Sequence, residues 1–350
     1  MNVVEMMPVL QQRRTLKEEV LAGSLSGITL SGVTFKEVDF SQVGFAGCVI
    51  NGVTFIDCNM QGVDLHLAQI ELVTLHNCDL SSADLSGLVL NQVIAAEVDF
   101  AQAKFNDTTI EKSAINACNF DGACFDRSQL TKTSLSDCTV AAASFIDIAW
   151  QSFSMCDTDF TGVTWRPTRI AQAVLVNCVF DQLDLSATAF INCSFNNSVF
   201  SDVSFAKASL VHCQFIGCRL STTDFFAADL GGCVFAQASL SECGFVNAQM
   251  GTANFDAAVL HTQDFSRADL RQSRFVGARL KQVQLVDTNM READLAHASC
   301  VEVDFSGAEL EFARFHEVQG DYELTAAQQA VAFGTDSNRL QMEQRLGALA

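Results

Sequence analysis

The chain has 350 residues, 49% of them hydrophobic and only 18% charged, and its 41 Asp and Glu against 21 Lys and Arg give a net charge of −20. That balance excludes nonspecific nucleic-acid binding, which needs many cationic side chains to neutralise phosphates; it fits a basic protein partner or solubility alone. No stretch approaches the roughly 18 apolar residues of a membrane-spanning helix. Met1–Leu21 carries Arg13, Arg14, Lys17, Glu18 and Glu19 in place of a secretory apolar run, so a cytoplasmic protein with reduced thiols is expected.

Residues 1–22 are expected to form an N-terminal helical cap. Pro8 suits a first helical turn. Val9, Leu10, Leu16, Val20 and Leu21 recur near helical spacing, and Gly23 is the expected stop.

From Leu25 to Phe315 every fifth residue is a large apolar centre: 57 of 59 such positions hold Phe, Leu, Ile, Met, Val or Trp, the exceptions being Ala95 and Cys300. A fixed short period of this kind marks a solenoid, in which no repeat folds alone. Two positions before each centre the residue is small, as at Val33, Val38, Val43 and Cys48. The residue just before the centre is often polar, as at Asp39, Asn59, Asp64, Asp79 and Asp84. Glycines at 27, 32, 47, 52 and 62 follow two positions after a centre. Ala83-Asp84-Leu85, Ala228-Asp229-Leu230, Ala268-Asp269-Leu270 and Ala293-Asp294-Leu295 spell the same tripeptide.

This pattern resembles the pentapeptide-repeat family over about residues 23–319. The resemblance implies an all-β solenoid: a right-handed quadrilateral parallel β-helix with 20 residues per coil and about 15 coils, closed by short helical caps at both ends. The centre and the small residue before it would point inward. The centres support the coil length independently. Of 24 central Phe, only Phe190 falls in the column running from Leu30 through Ile50 and Ile70 to Leu310. A bare five-residue period would not exclude Phe from every fourth unit.

Eleven of the 14 cysteines occupy the small inward slot, with Cys58, Cys78, Cys118, Cys138, Cys178 and Cys218 in one column and Cys193, Cys213 and Cys233 in another. Stacked strands about 4.8 Å apart fall within disulfide range, but small inward positions are ordinary sites for free, core-filling thiols. Two places strain the pattern. Ala95 leaves room beside an outward Ile94. At 148–170 the centres are Trp150, Met155 and Trp165, Phe153 takes a small slot, and Arg166-Pro167 lies outside, so a bulge or kink is expected there.

The repeat ends at Gly320, and residues 320–350 form the third segment. Thr325–Phe333 reads as a helix stopped by Gly334, and Asp336 or Ser337 caps a second helix through Leu346. Leu340, Leu346 and Leu349 suit either an end cap or the contacts of a homodimer.

Six scattered histidines, no phosphate-binding glycine loop and no nucleophile elbow argue for no enzyme, cofactor or metal. What remains is surface. Asp39, Asp79 and Asp99, aligned with Asn59 and Asn119 and near Asp121, read as an acidic docking stripe or as ordinary consensus. Phe226 and Val246 face outward on successive coils, and Leu67 and Leu72 also point outward. The leading expectation is a bacterial protein-interaction scaffold or adaptor with a protein partner; the resemblance suggests an accessory role in a secretion system, notably type VI. The first alternative, also implied by the resemblance, is a DNA mimic that binds gyrase or topoisomerase and confers inhibitor resistance. Residues 23–320 carry 34 acidic and 16 basic side chains, a little over one net charge per coil, against roughly three for duplex DNA over the same rise. The second alternative is a translocated effector that binds a host protein.

Overall fold

The computed structural model describes residues Met1 to Gly347 apart from Pro167, with the side chains of Leu346 and Gly347 left out. It is an all-parallel β-solenoid of about 15 turns with short helices at its ends. Each pentad contributes one side. The centre residue and the small residue two before it are buried, and the other three face out. Parallel pairing joins each residue to the one 20 further on, as in Thr54↔Thr74 and Phe55↔Leu75. Among the described residues, nearly every corner takes a left-handed residue two positions after the centre. Gly32, Gly52, Asn77 and Asp107 occupy such positions with φ of 61°, 63°, 48° and 56°, which is why Gly, Asn and Asp recur there.

The chain divides into two compact units, Met1–Val179 and Phe180–Ala350. In the first, helix α1 (Val3–Arg13) buries Val3, Met6 and Leu10. Asn2 and Glu5 form a capping box at its start, and Arg14 closes it in the left-handed region at φ 53°. The expected helical role of Leu16, Val20 and Leu21 is corrected: they lie in strands Thr15–Lys17 and Val20–Ser24. Nor does Gly23 stop the helix; the stop is Arg14. Pro8 sits inside α1, beyond its first turn. Leu16 pairs with Phe35, so the first coil is one residue short, and that broken spacing gave the segment its helical look.

Register is otherwise kept through this unit, including 148–170, where Ser144↔Thr164 and Trp150↔Ile170 pair in step. No register-shifting bulge interrupts these pairs. The irregularity lies in the side chains: Thr168 is turned out and Ala171 is buried, while Phe153 packs edge-on against Trp150 at 5.0 Å. The small residue at Ala95 leaves an apolar internal cavity of about 40 Å³, bordered by Leu75, Ile115 and Phe100 among others.

The second unit has a more regular core. Phe215, Phe235, Phe255 and Phe275 stack with centroids 4.8–4.9 Å apart and planes within 6°. Phe225, Phe245 and Phe265 form a second ladder at 4.7 Å. The two ladders meet edge to face, as Phe245 and Phe255 do at 6.4 Å and 90°. Stacking along each ladder is set by the coil rise, and the crossing satisfies the aromatic quadrupole. Helices α2 (Ala326–Val331) and α3 (Ser337–Gly347) follow the last coil. Gln328 of α2 donates to the carbonyls of Phe305 and Ala308 at 2.8 and 3.0 Å, and Tyr322 packs on Phe315; together they seal the open end of the core. Asp336, rather than Ser337, caps α3, accepting from the amides of Asn338 and Arg339.

Candidate interaction surface

Asp39, Asn59, Asp79, Asp99 and Asn119 form a continuous column of bridges, so the stripe expected from the sequence is brought together. One side-chain oxygen of each residue is already engaged. Asp39, Asp79 and Asp99 each accept the backbone N–H two residues on, at 2.8, 2.8 and 2.9 Å. Asn59 and Asn119 do the same. The turn amide needs an acceptor, and a short Asx side chain supplies it locally. The same bond recurs at Asp84 and Asp184, where it helps hold the carboxyl below its ordinary range. Asp121 stands at the next corner and accepts from Ala141 at 2.9 Å.

Phe226 is exposed at a corner and Val246 half-buried one coil on. Leu340 is half-buried on α3; the Leu346 side chain and Leu349 lie outside the described residues. Near the C-terminal end Arg271 pairs with Asp269 at 2.6 Å, Arg274 with Asp256 at 2.8 Å, and Arg291 with Glu309 and Glu311. Two exposed features escaped the sequence reading. One is the contact of Phe312 with Phe333, centroids 5.9 Å apart. The other is Val89, which joins Leu67, Leu72 and Ile94 as exposed aliphatics on adjoining coils.

All fourteen cysteines are free. Burial pushes the Cys178, Cys218 and Cys233 thiols up to about 12, so they remain protonated and inert at neutral pH. Their hydrogen bonds run to backbone carbonyls, as from Cys218 to Phe195 at 3.0 Å.

Among the described residues one donor cluster converges: ligand atoms of His297, His316 and Glu343 lie within 4.8 Å of one another. The sequence spacing hid it because Glu343 returns on α3. Its chemistry fits a hydrogen-bonded latch better than a metal centre. The Asp336 amide donates to Nδ1 of His316 at 3.1 Å, which leaves the ring proton on Nε2. That atom faces Glu343 Oε2 at 3.1 Å, and Arg339 donates to Glu343 Oε1 at 2.7 Å. A cation at Nε2 would have to displace both arrangements.

The family description "Pentapeptide repeat region" matches residues 28–115, and "Pentapeptide repeats (8 copies)" matches 184–221, 218–256, 253–291 and 284–319. The chain belongs to the pentapeptide-repeat family. Among solved structures, HetL, a pentapeptide-repeat protein involved in heterocyst differentiation regulation in the cyanobacterium Nostoc sp. strain PCC 7120, is 17% identical. The match covers 89% of this chain and 96% of HetL, with a TM-score of 0.23. QnrB1, a plasmid-mediated fluoroquinolone resistance protein, is 16% identical over 63% of this chain and 91% of its own, with a TM-score of 0.25. A mannuronic-acid-specific family 6 polysaccharide lyase from human gut microbiota is 9% identical over 99% and 93%, with a TM-score of 0.28. At those scores no role follows from the likeness. No curated protein matches. Among the described residues of this pentapeptide-repeat chain, no helix is long and apolar enough to cross a membrane.

Proposed function

We propose that this pentapeptide-repeat protein is a non-enzymatic interaction scaffold or adaptor, acting as an accessory component of a bacterial secretion system such as type VI. The observation that carries the reading is the contrast between core and surface. The core is an ordered, largely apolar interior, whereas the outward positions present separate clusters of exposed aliphatic and aromatic side chains, at Leu67–Ile94 and at Phe312 with Phe333. A backbone fixed by parallel pairing positions such clusters with little further backbone ordering on binding, and exposed apolar patches are where partners dock. The secretion setting comes from family resemblance and is the finer part of the proposal.

Capture with the intact chain from a bacterial lysate tests it. Recovery of one defined secretion component, lost on substitution of one exposed cluster, supports the reading; recovery of gyrase, with inhibition or drug protection of supercoiling by added protein, replaces it with DNA mimicry. The low charge density of the repeat weighs against that second outcome.

A further inference from the structure

Leu67 and Leu72 stand at successive corners of one coil, both in the left-handed region with φ of 58° and 57°, and they are 71% and 48% exposed. A branched apolar residue there is doubly unfavourable: the backbone disfavours any L residue with a bulky Cβ substituent, and the side chain gains nothing from burial. Elsewhere in this unit the same position holds Gly or a polar or small residue, as at Gly52, Asn77, Gln92, Glu97 and Lys112, and among the described residues Leu67 and Leu72 are its only large apolar occupants. An outlier of this kind points to use of the side chain rather than to folding.

The two leucines bracket the strand Gln69–Glu71. In the next coil Asn91 pairs with Glu71 and Ile94 with Thr74, which places Val89, 57% exposed, and Ile94, 54% exposed, against the same two sides. A shallow groove of about 440 Å³ runs between Leu67 and Val89, with Glu71 on its wall. Glu71 is held there by neutral donors, Asn51 at 3.2 Å and Asn91 at 3.1 Å. Its charge has no cation near it in sequence: residues 37–103 contain nine Asp and Glu and no Lys or Arg. The patch is therefore aliphatic at its centre, with carboxylates but no Lys or Arg in that stretch.

We infer that this face docks a basic amphipathic polypeptide segment, whose apolar side chains cover Leu67, Leu72, Val89 and Ile94 and whose Lys or Arg meets Glu71. A second copy of this chain would bring the same uncompensated carboxylates against one another, and an anionic lipid surface would find no cation to bind. The inference rests on the scaffold reading and names the chemistry of one partner site within it.

The test uses the full chain and a fluorescent synthetic peptide in which leucines alternate with lysine pairs, titrated by anisotropy at physiological salt. Parallel titrations use a Glu-for-Lys peptide and a Ser-for-Leu peptide. The lysine–leucine peptide should saturate, and both control peptides should bind at least roughly ten-fold more weakly. The double variant Leu67→Asn/Leu72→Asn should weaken binding at least roughly ten-fold with a melting temperature unchanged or raised, since Asn accepts the left-handed corner. Phe226→Ser should bind as wild type. Equal binding by the double variant, equal binding of the acidic peptide, or a dimer of the free chain that the double variant abolishes would each overturn the proposal. Any of these, with lysate capture by the wild-type chain intact, would remove this site and leave the scaffold reading standing.

Discussion

His316 and Glu343 pin α3 to the C-terminal coil, with Nε2 of the imidazole 3.1 Å from the carboxylate. Arg339 first, then His316 and His297, hold the Glu343 carboxyl at about 2, down from an ordinary 4.5. A carboxyl depressed in the folded chain contributes its stability above the unfolded value and loses it as pH falls toward the folded one. The latch should therefore hold above about pH 4.5 and weaken as pH falls toward 2. Amide exchange in Ser337–Arg345, corrected for intrinsic rates, should rise across that interval before exchange in the coils does. Glu343→Gln should raise it already at pH 7 and flatten the pH dependence. Unchanged protection in that variant would mean the helix is held by other contacts.

Ala95 is the one inward centre of the first unit too small to meet its neighbours, and the cavity of about 40 Å³ borders it. Filling such space returns roughly 24 cal/mol per Å³, so Ala95→Leu should stabilise the chain by about 1 kcal/mol. Its register partners, Leu75 and Ile115, are of matching size. Ala95→Phe should gain less or lose, because a ring overfills the same space. Urea midpoints of the two variants against wild type decide the point; a destabilised leucine variant would show that the cavity closes in solution.

Asp99 accepts from the Ala101 amide at 2.9 Å and from Asn119 Nδ2 at 3.0 Å. Removing it with Asp99→Ala leaves a part-buried amide without its acceptor and should cost about 1 kcal/mol. Asp99→Asn keeps an acceptor oxygen and should stay within about 0.5 kcal/mol of wild type. Partner affinity then separates turn chemistry from docking. If the stripe serves only the turns, Asp79→Asn/Asp99→Asn binds the captured partner as wild type does; an affinity loss in a stable variant would restore the acidic stripe as a contact surface.

The solenoid was readable in the sequence because its core demands one large inward residue every five positions, and nothing else in the chain competes with that demand. Both ends were harder. Leu16 and Leu21 are repeat centres, but the interval from Leu21 to Leu25 is one residue short, and three apolar positions out of step look helical. The latch was hidden for a different reason: His297, His316 and Glu343 share no local period and meet only because α3 folds back. Leu67 and Leu72 were legible as outward-facing apolar residues. Val89 was not, since a valine on an outward strand position breaks no rule until its neighbours are placed around it.

Thiol labelling should separate the cysteines by burial. Cys124 and Cys156 are half-exposed, and the other twelve are buried. Burial pushes Cys48 and Cys243 to about 11 and Cys233 and Cys300 to about 12, which leaves about one thiol in a thousand or fewer ionised at pH 8. Since the thiolate is the attacking species, a charged alkylating reagent at pH 8 should modify Cys124 and Cys156 within minutes and Cys48, Cys233, Cys243 and Cys300 only on unfolding. Mass spectrometry after a timed quench reads this out. Early labelling of Cys213, Cys218 or Cys233 would mean that the Phe-ladder core of the second unit opens far more often than its packing implies.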